Sequence, residues 1–352
     1  MRIAIATGLG MYLPAQKSQS IARIVETLIE GFQSQGHKVL VFAPADCVTS
    51  GQLIPICERH VPLTADLDLT QNRQAFRTMI AKLSEMRDEI DIVHAQTIDI
   101  PGVFHSSDLL STLSIPNVTT FQSAIHISNL DFFRSLNNRM VSVSYNQRKA
   151  CPELNYVSNI YNALYPAPFP MVRKPDNYLC FLGRMNQVKQ PHQAIQLAIQ
   201  LGIPLRLAGP VDPYFDQSYF EHYCRPYFSH PLIEYLGELD FDEKIKLIAH
   251  ARCNLHPTGF RDPCPLSPIE SAYCGTPTLA IRRGALSEIV QEGKTGALVE
   301  DFAEGYYEME RCLTLDREYI AQWSRKKFNY KAMINKYLDV FATTIEQDRF
   351  YD

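Results

Sequence analysis

Residues 261–280 read RDPCPLSPIESAYCGTPTLA, a stretch with four prolines and two carboxylates eight positions apart. Ser267 suits the N-cap of a helix, Pro268 suits its first position, and Glu270 stands where a capping box would close on Ser267. Gly275 can end such a helix in a left-handed conformation after about two turns. The stretch therefore predicts a short helix behind a proline-stiffened turn, and the free N–H groups at its amino end suit a phosphate.

On both sides of this stretch, short apolar runs alternate with amphipathic helical segments, which is the pattern of βαβ units and parallel sheets. The predicted strands of the amino-terminal half are RIAIAT (2–7), KVLVFAP (38–44), DIVHAQ (91–96), NVTTFQ (117–122) and MVSVS (140–144). Those of the carboxyl-terminal half are YLCFLG (178–183), PLRLAG (204–209), LIEYLG (232–237), CNLHPT (253–258), PTLAI (277–281) and GALV (296–299). The alternation predicts an α/β protein with two Rossmann-like, doubly wound parallel sheets.

A proline-rich segment divides the chain. At 352 residues it exceeds the usual size of one domain, and residues 164–176, LYPAPFPMVRKPD, carry four prolines that would stiffen a hinge. We predict a first domain over 1–163, a second domain over 164–328, and a helix over 329–352 that packs back toward the first domain. The apolar seam of that helix consists of Met333, Tyr337, Phe341 and Ile345. Two facing sheets would bring the carboxyl ends of their strands to an interdomain cleft, where such sheets bind ligands.

Composition and charge exclude several classes of protein. A net charge of -4 and an isoelectric point near 6.2 provide no field for a long polyanion, so nucleic acid is not an expected partner. The nine cysteines include no CxxC pair, which is typical of buried thiols in a reducing compartment. No apolar run is long enough to cross a bilayer, and the start MRIAIATG lacks the features of a signal peptide. We expect a cytoplasmic protein, and peripheral contact with the inner face of the membrane stays open.

Residues 262–299 resemble the donor-site signature of the retaining glycosyltransferases of family four (glycosyl transferases group 1), which have the GT-B fold. The family pattern is an acid, seven residues, a glutamate, a short helix, Gly-Thr-Pro, a strand and two glycine-bearing loops. It falls here on Asp262, Glu270, 275–277, Gly284 with Glu288, and Gly293 with Gly296. The resemblance extends upstream through FLGRMNQVK (181–189), LRLAG (205–209), EYLGELDFDEKIKLIAHA (234–251) and LHPT (255–258). The first domain matches mainly in layout. The resemblance implies that residues 1–163 form the acceptor-side domain and residues 164–328 the nucleotide-sugar donor domain.

The resemblance implies a role for each matching side chain. Asp262 would be the catalytic residue beside the transferred sugar, and Glu270 would bind the ribose hydroxyls of the donor. Arg184 and Lys189 would bind the diphosphate and stabilise the departing nucleotide without a metal ion. An Arg and a Lys at this spacing are by themselves typical of a solvated surface, so the family context is what makes them candidates.

Backbone groups complete the implied donor site. The N–H groups of Leu266 and Ser267 would meet the distal phosphate, and the turn from Gly237 to Leu239 would lie against the base. In the first domain, Gly10 follows the first strand and permits the backbone to approach the donor closely.

The chain departs from the family pattern at several positions. Asp262 replaces a common Glu and so shortens the carboxylate by one methylene, while Pro265 removes an N–H that could face phosphate. Gln122 stands where the family often has a His, and a Gln cannot take a proton from an acceptor hydroxyl. His94, near the end of a predicted strand, and His126 are the other acceptor-side candidates, with a packed or solvated imidazole as the alternative interpretation.

The implied activity is retaining, metal-independent transfer of a hexose from a nucleoside diphosphate sugar, with UDP-sugar favoured, to a saccharide or lipid-linked acceptor. No cofactor is implied, and the Asp-x-Asp triplets at 66–68 and 240–242 are interpreted as structural. Two alternatives stay open, namely a nucleotide-sugar epimerase of the same fold and a non-catalytic protein that binds a nucleotide sugar. The epimerase would convert its donor without an acceptor, and the binding protein would show no turnover.

Overall fold

The computed structural model describes residues 1–8, 10–17, 19–60, 69–97, 110, 112–125, 138–165 and 169–349. The chain divides into two units. The first comprises Met1–Ala15, Gln19–Tyr165 and Tyr330–Asp352, and the second comprises Pro166–Asn329 with the short segment Gln16–Ser18. The prediction that ligands bind between two domains stays a prediction.

The first unit is built on a parallel sheet. Its strands are β1 (Arg2–Ala6), β2 (Lys38–Ala43), β3 (Gln52–Pro55), β4 (Ile92–Thr97), β5 (Asn117–Phe121), β6 (Met140–Ser142) and β7 (Tyr156–Asn159). Within the described residues these form a seven-stranded sheet in the order β3-β2-β1-β4-β5-β6-β7. Its helices include α1 (Ser20–Ser34), α2 (Leu69–Glu85) and α3 (Tyr145–Arg148).

The second unit repeats this plan. Its strands are β8 (Leu179–Leu182), β9 (Leu205–Ala208), β10 (Ile233–Tyr235), β11 (Asn254–His256), β12 (Thr278–Ile281) and β13 (Gly296–Val299), in the sheet order β10-β9-β8-β11-β12-β13. Its helices are α4 (Pro191–Leu201), α5 (Gln217–Tyr223), α6 (Phe241–His250), α7 (Leu266–Tyr273), α8 (Leu286–Ile289), α9 (Gly305–Leu313) and α10 (Arg317–Lys327). In the part of the chain that the structure describes, no helix combines the length and apolar character needed to span a membrane.

The fold class predicted from the alternation is confirmed, since both sheets are parallel and every predicted apolar run contains a strand. The sequence analysis missed β3 and β7, which lie at the two edges of the first sheet. β3 is only half-buried, and the register of β7 shifts against β6 between Met140 and Val141. Pro55 interrupts the apolar run of β3 and the four residues of β7 end in polar side chains, so both sequences carry a weak strand signal. Gly275 ends α7 with a φ of +72°, which confirms its predicted left-handed conformation.

The last helix, α11 (Tyr330–Arg349), packs against α1 in the first unit. Gly31 on α1 permits close approach, because a Cβ at that position would lie 2.3 Å from Ile334 Cδ1. The members of the predicted seam that are buried are Met333, Tyr337 and Phe341, whereas Ile345 is half-buried. The seam therefore packs onto the helix that follows β1.

His94 lies in this packed region and is fully buried. It occupies the middle of β4 rather than its carboxyl end, which corrects the interpretation of His94 as a residue that meets the acceptor. Its ring centroid is 4.7 Å from that of Tyr337 and 5.1 Å from that of Phe341, and its Nε2 is 2.9 Å from Thr120 Oγ1. Burial lowers the pKa of His94 to about 3, so the imidazole is neutral at physiological pH.

We predict that His94 destabilises the fold in mild acid. Its pKa is about 3 in the folded protein and near the usual 6.5 in the unfolded chain, so below that value the unfolded state binds more protons. The stability that neutral His94 contributes is complete above pH 6.5 and is lost as the pH falls toward 3. Between about pH 7 and about pH 5 the loss is on the order of 2 kcal/mol.

The measurement is the difference between the thermal unfolding midpoints at these two pH values. His94→Gln should reduce that difference, and the exposed control His222→Gln should leave it unchanged. An undiminished difference in His94→Gln would contradict the neutral state assigned to His94.

Candidate active site

Loops of the second unit meet at one edge of its sheet, because the strands are parallel and their carboxyl ends share that edge. The strand order reverses between β8 and β11, from which the chain proceeds toward opposite sides of the sheet. Such a reversal opens a crevice between the two following loops, where open α/β sheets bind ligands. The loops at this point are 183–190 and 257–265.

The backbones of these two loops are joined directly. Gly259 N–H donates to the Val188 carbonyl over 3.0 Å, and the Thr258 hydroxyl donates to the same oxygen over 3.3 Å. A side chain at position 259 would displace its neighbour, since a Cβ there would lie 2.7 Å from Gln190 Nε2. These contacts hold the predicted diphosphate-binding loop beside the loop that carries the predicted catalytic acid.

Lys189 and Asp262 form an ion pair across the crevice. Lys189 Nζ lies 2.5 Å from Asp262 Oδ2, and the two side chains are 24% and 14% exposed. Burial alone would raise the pKa of Asp262, but the charge of Lys189 and the hydrogen bond from it hold the pKa below its usual value of 3.8. Asp262 is therefore ionised at physiological pH, and it offers a fixed negative charge next to a fixed positive one.

The position of Asp262 depends on the loop that follows β12. Ala285 N–H donates to the Asp262 carbonyl over 3.0 Å. Gly284 has a φ of +55°, and a Cβ on it would lie 2.4 Å from the Asp262 carbonyl oxygen. Position 284 thus requires a glycine both for its backbone conformation and for its contact with Asp262.

Arg184 binds a different carboxylate. Its Nε and Nη2 donate to Asp216 Oδ2 over 3.0 and 2.8 Å. The Asp216 side chain is 4% exposed and that of Arg184 is 47% exposed, so a buried acid anchors an arginine whose side chain is half exposed to solvent. The sequence analysis missed Asp216, because an acid just before a helix is typical of a cap and carries no signal for a partner 32 residues away.

The start of α7 differs from the prediction. The helix begins at Leu266, with Pro265 at the N-cap and no side-chain capping bond, so the predicted capping box of Ser267 and Glu270 is wrong. Ser267 lies in the first turn, where its hydroxyl accepts a hydrogen bond from Asn254 Nδ2 over 3.3 Å. Because a first-turn N–H has no acceptor within its helix, the amide groups of Leu266 and Ser267 can meet an anion, as the sequence analysis predicts.

Glu270 is buried and pairs with a lysine that the sequence analysis missed. Lys244 Nζ on α6 lies 2.6 Å from Glu270 Oε1, and the two side chains are 16% and 3% exposed. The capping box is absent because the helix begins before Ser267, and the pairing with Lys244 directs the Glu270 carboxylate toward α6. A lysine in an amphipathic helix usually reads as a solvated side chain, so the spacing of α6 did not mark Lys244.

His256 ends β11 close to the ion pair of Lys189 and Asp262. Burial, and to a smaller extent the charge of Lys189, lowers the pKa of His256 to about 3. Its Nε2 is buried without a hydrogen-bond partner among the described residues. Because the imidazole of His256 is neutral, it does not add to the charges of Lys189 and Asp262.

The predicted base-binding turn follows β10 at the same edge of the sheet. Gly237 has a φ of +71°, and its carbonyl accepts a hydrogen bond from Gly209 N–H over 2.8 Å. Leu239 is partly buried against the apolar cluster that α6 contributes to. Over the residues described, no three His, Cys, Asp or Glu side chains are grouped so that they could hold a metal ion.

The predicted residues of the first unit have separate surroundings. Gly10 lies in a turn after β1, where the order of the first sheet reverses between β1 and β4. Gln122 follows β5 and is 9% exposed; it donates to Gln96 Oε1 and accepts from Asn162 Nδ2, both over 2.9 Å. Both ends of the Gln122 amide are thus bonded within the unit, and a role toward an acceptor stays a prediction. His126 lies outside the described residues.

We predict that Gly284→Ala destabilises the protein more than Gly202→Ala. Both glycines have positive φ, +55° and +66°, so each substitution costs about 1 kcal/mol of backbone strain. A Cβ at Gly202 meets nothing within 4 Å, whereas one at Gly284 meets the Asp262 backbone, and the overlap should add about 1–3 kcal/mol. Urea unfolding measures the difference. Equal losses in the two variants would show that Gly284 does not constrain the Asp262 loop.

Two family models match the chain. A model described as Glycosyl transferases group 1 matches residues 169–326, and a model described as Glycosyltransferase Family 4 matches residues 21–151. Together they span most of the chain. No curated protein matches it in a sequence comparison.

Several solved structures share the fold over their full length. Sucrose-phosphate synthase from Thermosynechococcus elongatus has a TM-score of 0.81 at 15% identity, over 99% of this chain and 100% of that one. HepE from Anabaena in complex with UDP-glucose has a TM-score of 0.73 at 13% identity, over 97% of this chain and 100% of that one. The catalytic domain of starch synthase IV from Arabidopsis thaliana, bound to ADP and acarbose, has a TM-score of 0.72 at 14% identity, over 98% of this chain and 99% of that one. The chain therefore belongs to the glycosyltransferases of family four and group 1, and it has their GT-B fold.

Proposed function

We propose that this glycosyltransferase is a retaining, metal-independent enzyme that moves a hexose from a nucleoside diphosphate sugar to a saccharide or lipid-linked acceptor. The observation that carries the proposal is the pair of Lys189 and Asp262 at the reversal of strand order. It places one positive and one negative group side by side where a sugar and a phosphate would separate. Glycosyl transfer develops positive charge on the sugar and negative charge on the leaving phosphate, so the signs match the reaction.

The diphosphate would be held by cations that the fold already orients. Lys189 is fixed by Asp262, and Arg184, whose side chain is about half exposed, is fixed by Asp216. The first-turn N–H groups of α7 would contribute fixed partial positive charge at the same edge of the sheet. Such preoriented groups can stabilise a departing nucleoside diphosphate without a divalent ion, which is the basis for proposing metal independence.

Asp262 would act on the sugar as an ionised carboxylate that accepts a hydrogen bond from a hexose hydroxyl and faces the anomeric carbon. As the bond from that carbon to the phosphate oxygen breaks, the acceptor oxygen forms a bond to the carbon on the same face. The acceptor proton passes to the departing phosphate oxygen, so the configuration is retained and no protein base is required. This scheme accommodates Gln122 in place of the family histidine, because a Gln that cannot take a proton does not prevent the reaction.

The donor is proposed to be a UDP-sugar. Support for uridine comes from HepE, whose structures contain UDP-glucose, while starch synthase IV was solved with ADP. Glu270, buried next to α6, would bind the ribose that both nucleotides share. UDP-glucose is therefore the first donor to test, with ADP-glucose as the comparison.

The proposal predicts slow release of UDP and glucose from UDP-glucose when water is the acceptor, at the same rate in buffer with chelator. The glucose released should first appear as the α-anomer by NMR, because the donor is α-configured. Asp262→Ala should lower the rate by at least about 100-fold, while the exposed control Asp242→Asn should retain it.

Each part of the proposal has its own contrary result. β-Glucose as the first product would exclude retention, and a rate lost in chelator and restored by magnesium would exclude metal independence. Conversion of UDP-glucose into another nucleotide sugar would identify an epimerase. Tight binding without turnover in the presence of a saccharide panel would favour the non-catalytic alternative.

A further inference from the structure

Lys244 occupies an unusual place for a lysine. It lies in the first half of α6, whose N-cap Asp240 forms a capping box with Glu243. The amino end of a helix carries partial positive charge, so a cation there is unfavourable unless a carboxylate compensates it. The Lys244 side chain is also only 16% exposed, and burying an ammonium requires a close partner.

That partner is Glu270, and the contact uses one specific oxygen. Lys244 Nζ bonds Oε1 over 2.6 Å and also lies 5.1 Å from the centroid of the Phe241 ring, which confines it further. No hydrogen bond to Glu270 Oε2 is found within the part of the chain that the structure describes. The carboxylate therefore has one oxygen shared with a cation and one oxygen that receives no hydrogen bond from the described residues.

We propose that Lys244 makes the enzyme recognise the ribose of its donor through one hydroxyl rather than two. This inference rests on the proposed function, in which Glu270 meets the ribose. A hydroxyl that donates to Oε2 meets an oxygen whose acceptor sites are free of Lys244, whereas a hydroxyl that donates to Oε1 must share that oxygen with the ammonium. Lys244 is thus a positioning and specificity-determining residue that acts through Glu270, without touching the reacting atoms.

A purely structural role for Lys244 leads to a different expectation. If the lysine only neutralises a buried carboxylate, its loss would lower the stability of the protein and would weaken the binding of all nucleotides to the same extent. The ratio of affinities between a nucleotide and its deoxy analogues would then stay constant. That ratio is therefore the readout that separates the two roles.

The experiment is calorimetric titration of the full chain with UDP, 2′-deoxy-UDP and 3′-deoxy-UDP. In the unaltered protein, one of the two analogues should bind about tenfold more weakly than UDP and the other within about twofold of it. In Lys244→Met, Oε1 is released, and both analogues should bind about tenfold more weakly than UDP binds to that variant. Lys246→Met, at an exposed lysine on the same helix, is the matched control. It should keep the one-sided profile, in which only one of the two analogues binds more weakly than UDP.

Lys244→Arg keeps a cation on Oε1 and should also keep the one-sided profile, which gives a second test should Lys244→Met not fold. If both analogues lost the same affinity relative to UDP in the unaltered protein, the inference would be overturned. A one-sided profile in Lys244→Met would overturn it as well. A symmetric profile in Lys244→Arg would contradict it too. Failure of the unaltered protein to bind either UDP or ADP would instead refute the proposed function, so the two failures are distinguishable.

Discussion

An ammonium and a carboxylate, Lys189 and Asp262, connect the two loops at the point where the sheet of the second unit reverses its strand order. Partly buried charges are costly to remove from water, so the pair is stable only because its members are held at hydrogen-bonding distance. The surrounding backbone supplies that constraint. The Gly259 N–H donates a hydrogen bond to the loop that carries Lys189, and Gly284 lies so close to the Asp262 backbone that only a glycine fits there.

The same principle recurs at the other charged positions of the second unit. Each of three cations is paired with its own carboxylate: Lys189 with Asp262, Arg184 with Asp216, and Lys244 with Glu270. The first two are proposed to bind the donor diphosphate, and the third acts through Glu270. In every pair the acid is the more buried member, so the acid fixes the cation and the cation keeps the larger exposed surface. A diphosphate that binds here would share cations that are already in place, and it would not have to order flexible side chains.

Local sequence patterns predicted much of this arrangement. The alternation of apolar runs and helical segments predicted the parallel sheets, and the family resemblance brought Lys189 and Asp262 to attention although 73 residues separate them. The pattern failed at the start of α7. Ser267 and Glu270 have the spacing of a capping box, but the helix begins at Leu266, so Ser267 lies inside its first turn, and Lys244 from another helix binds the carboxylate. A spacing rule considers neighbours in sequence and detects neither the earlier start nor the distant lysine.

Other residues were missed or misjudged for related reasons. Asp216 and Lys244 look like ordinary helix-end and surface charges, and only the folded chain reveals what they bind. His94 sits on a strand next to polar residues, and its burial depends on α11, which is more than 200 residues away in the chain. The edge strands β3 and β7 were missed for a local reason, because Pro55 interrupts the apolar run of β3 and the four residues of β7 end in polar side chains. For Asp216, Lys244 and His94 the missing information concerned a partner that is distant in sequence.

Lys189, which Asp262 holds in place, is proposed to be shared between that carboxylate and the donor diphosphate, and this sharing can be tested directly. The most direct measurement is the affinity of UDP, without the sugar, for Asp262→Asn compared with the unaltered protein. Asparagine removes the negative charge while it keeps the shape, so Lys189 becomes fully available to phosphate, and UDP should bind several-fold more tightly, on the order of 1 kcal/mol. Weaker binding of UDP to Asp262→Asn would mean that the carboxylate does not compete for Lys189, and it would contradict the account.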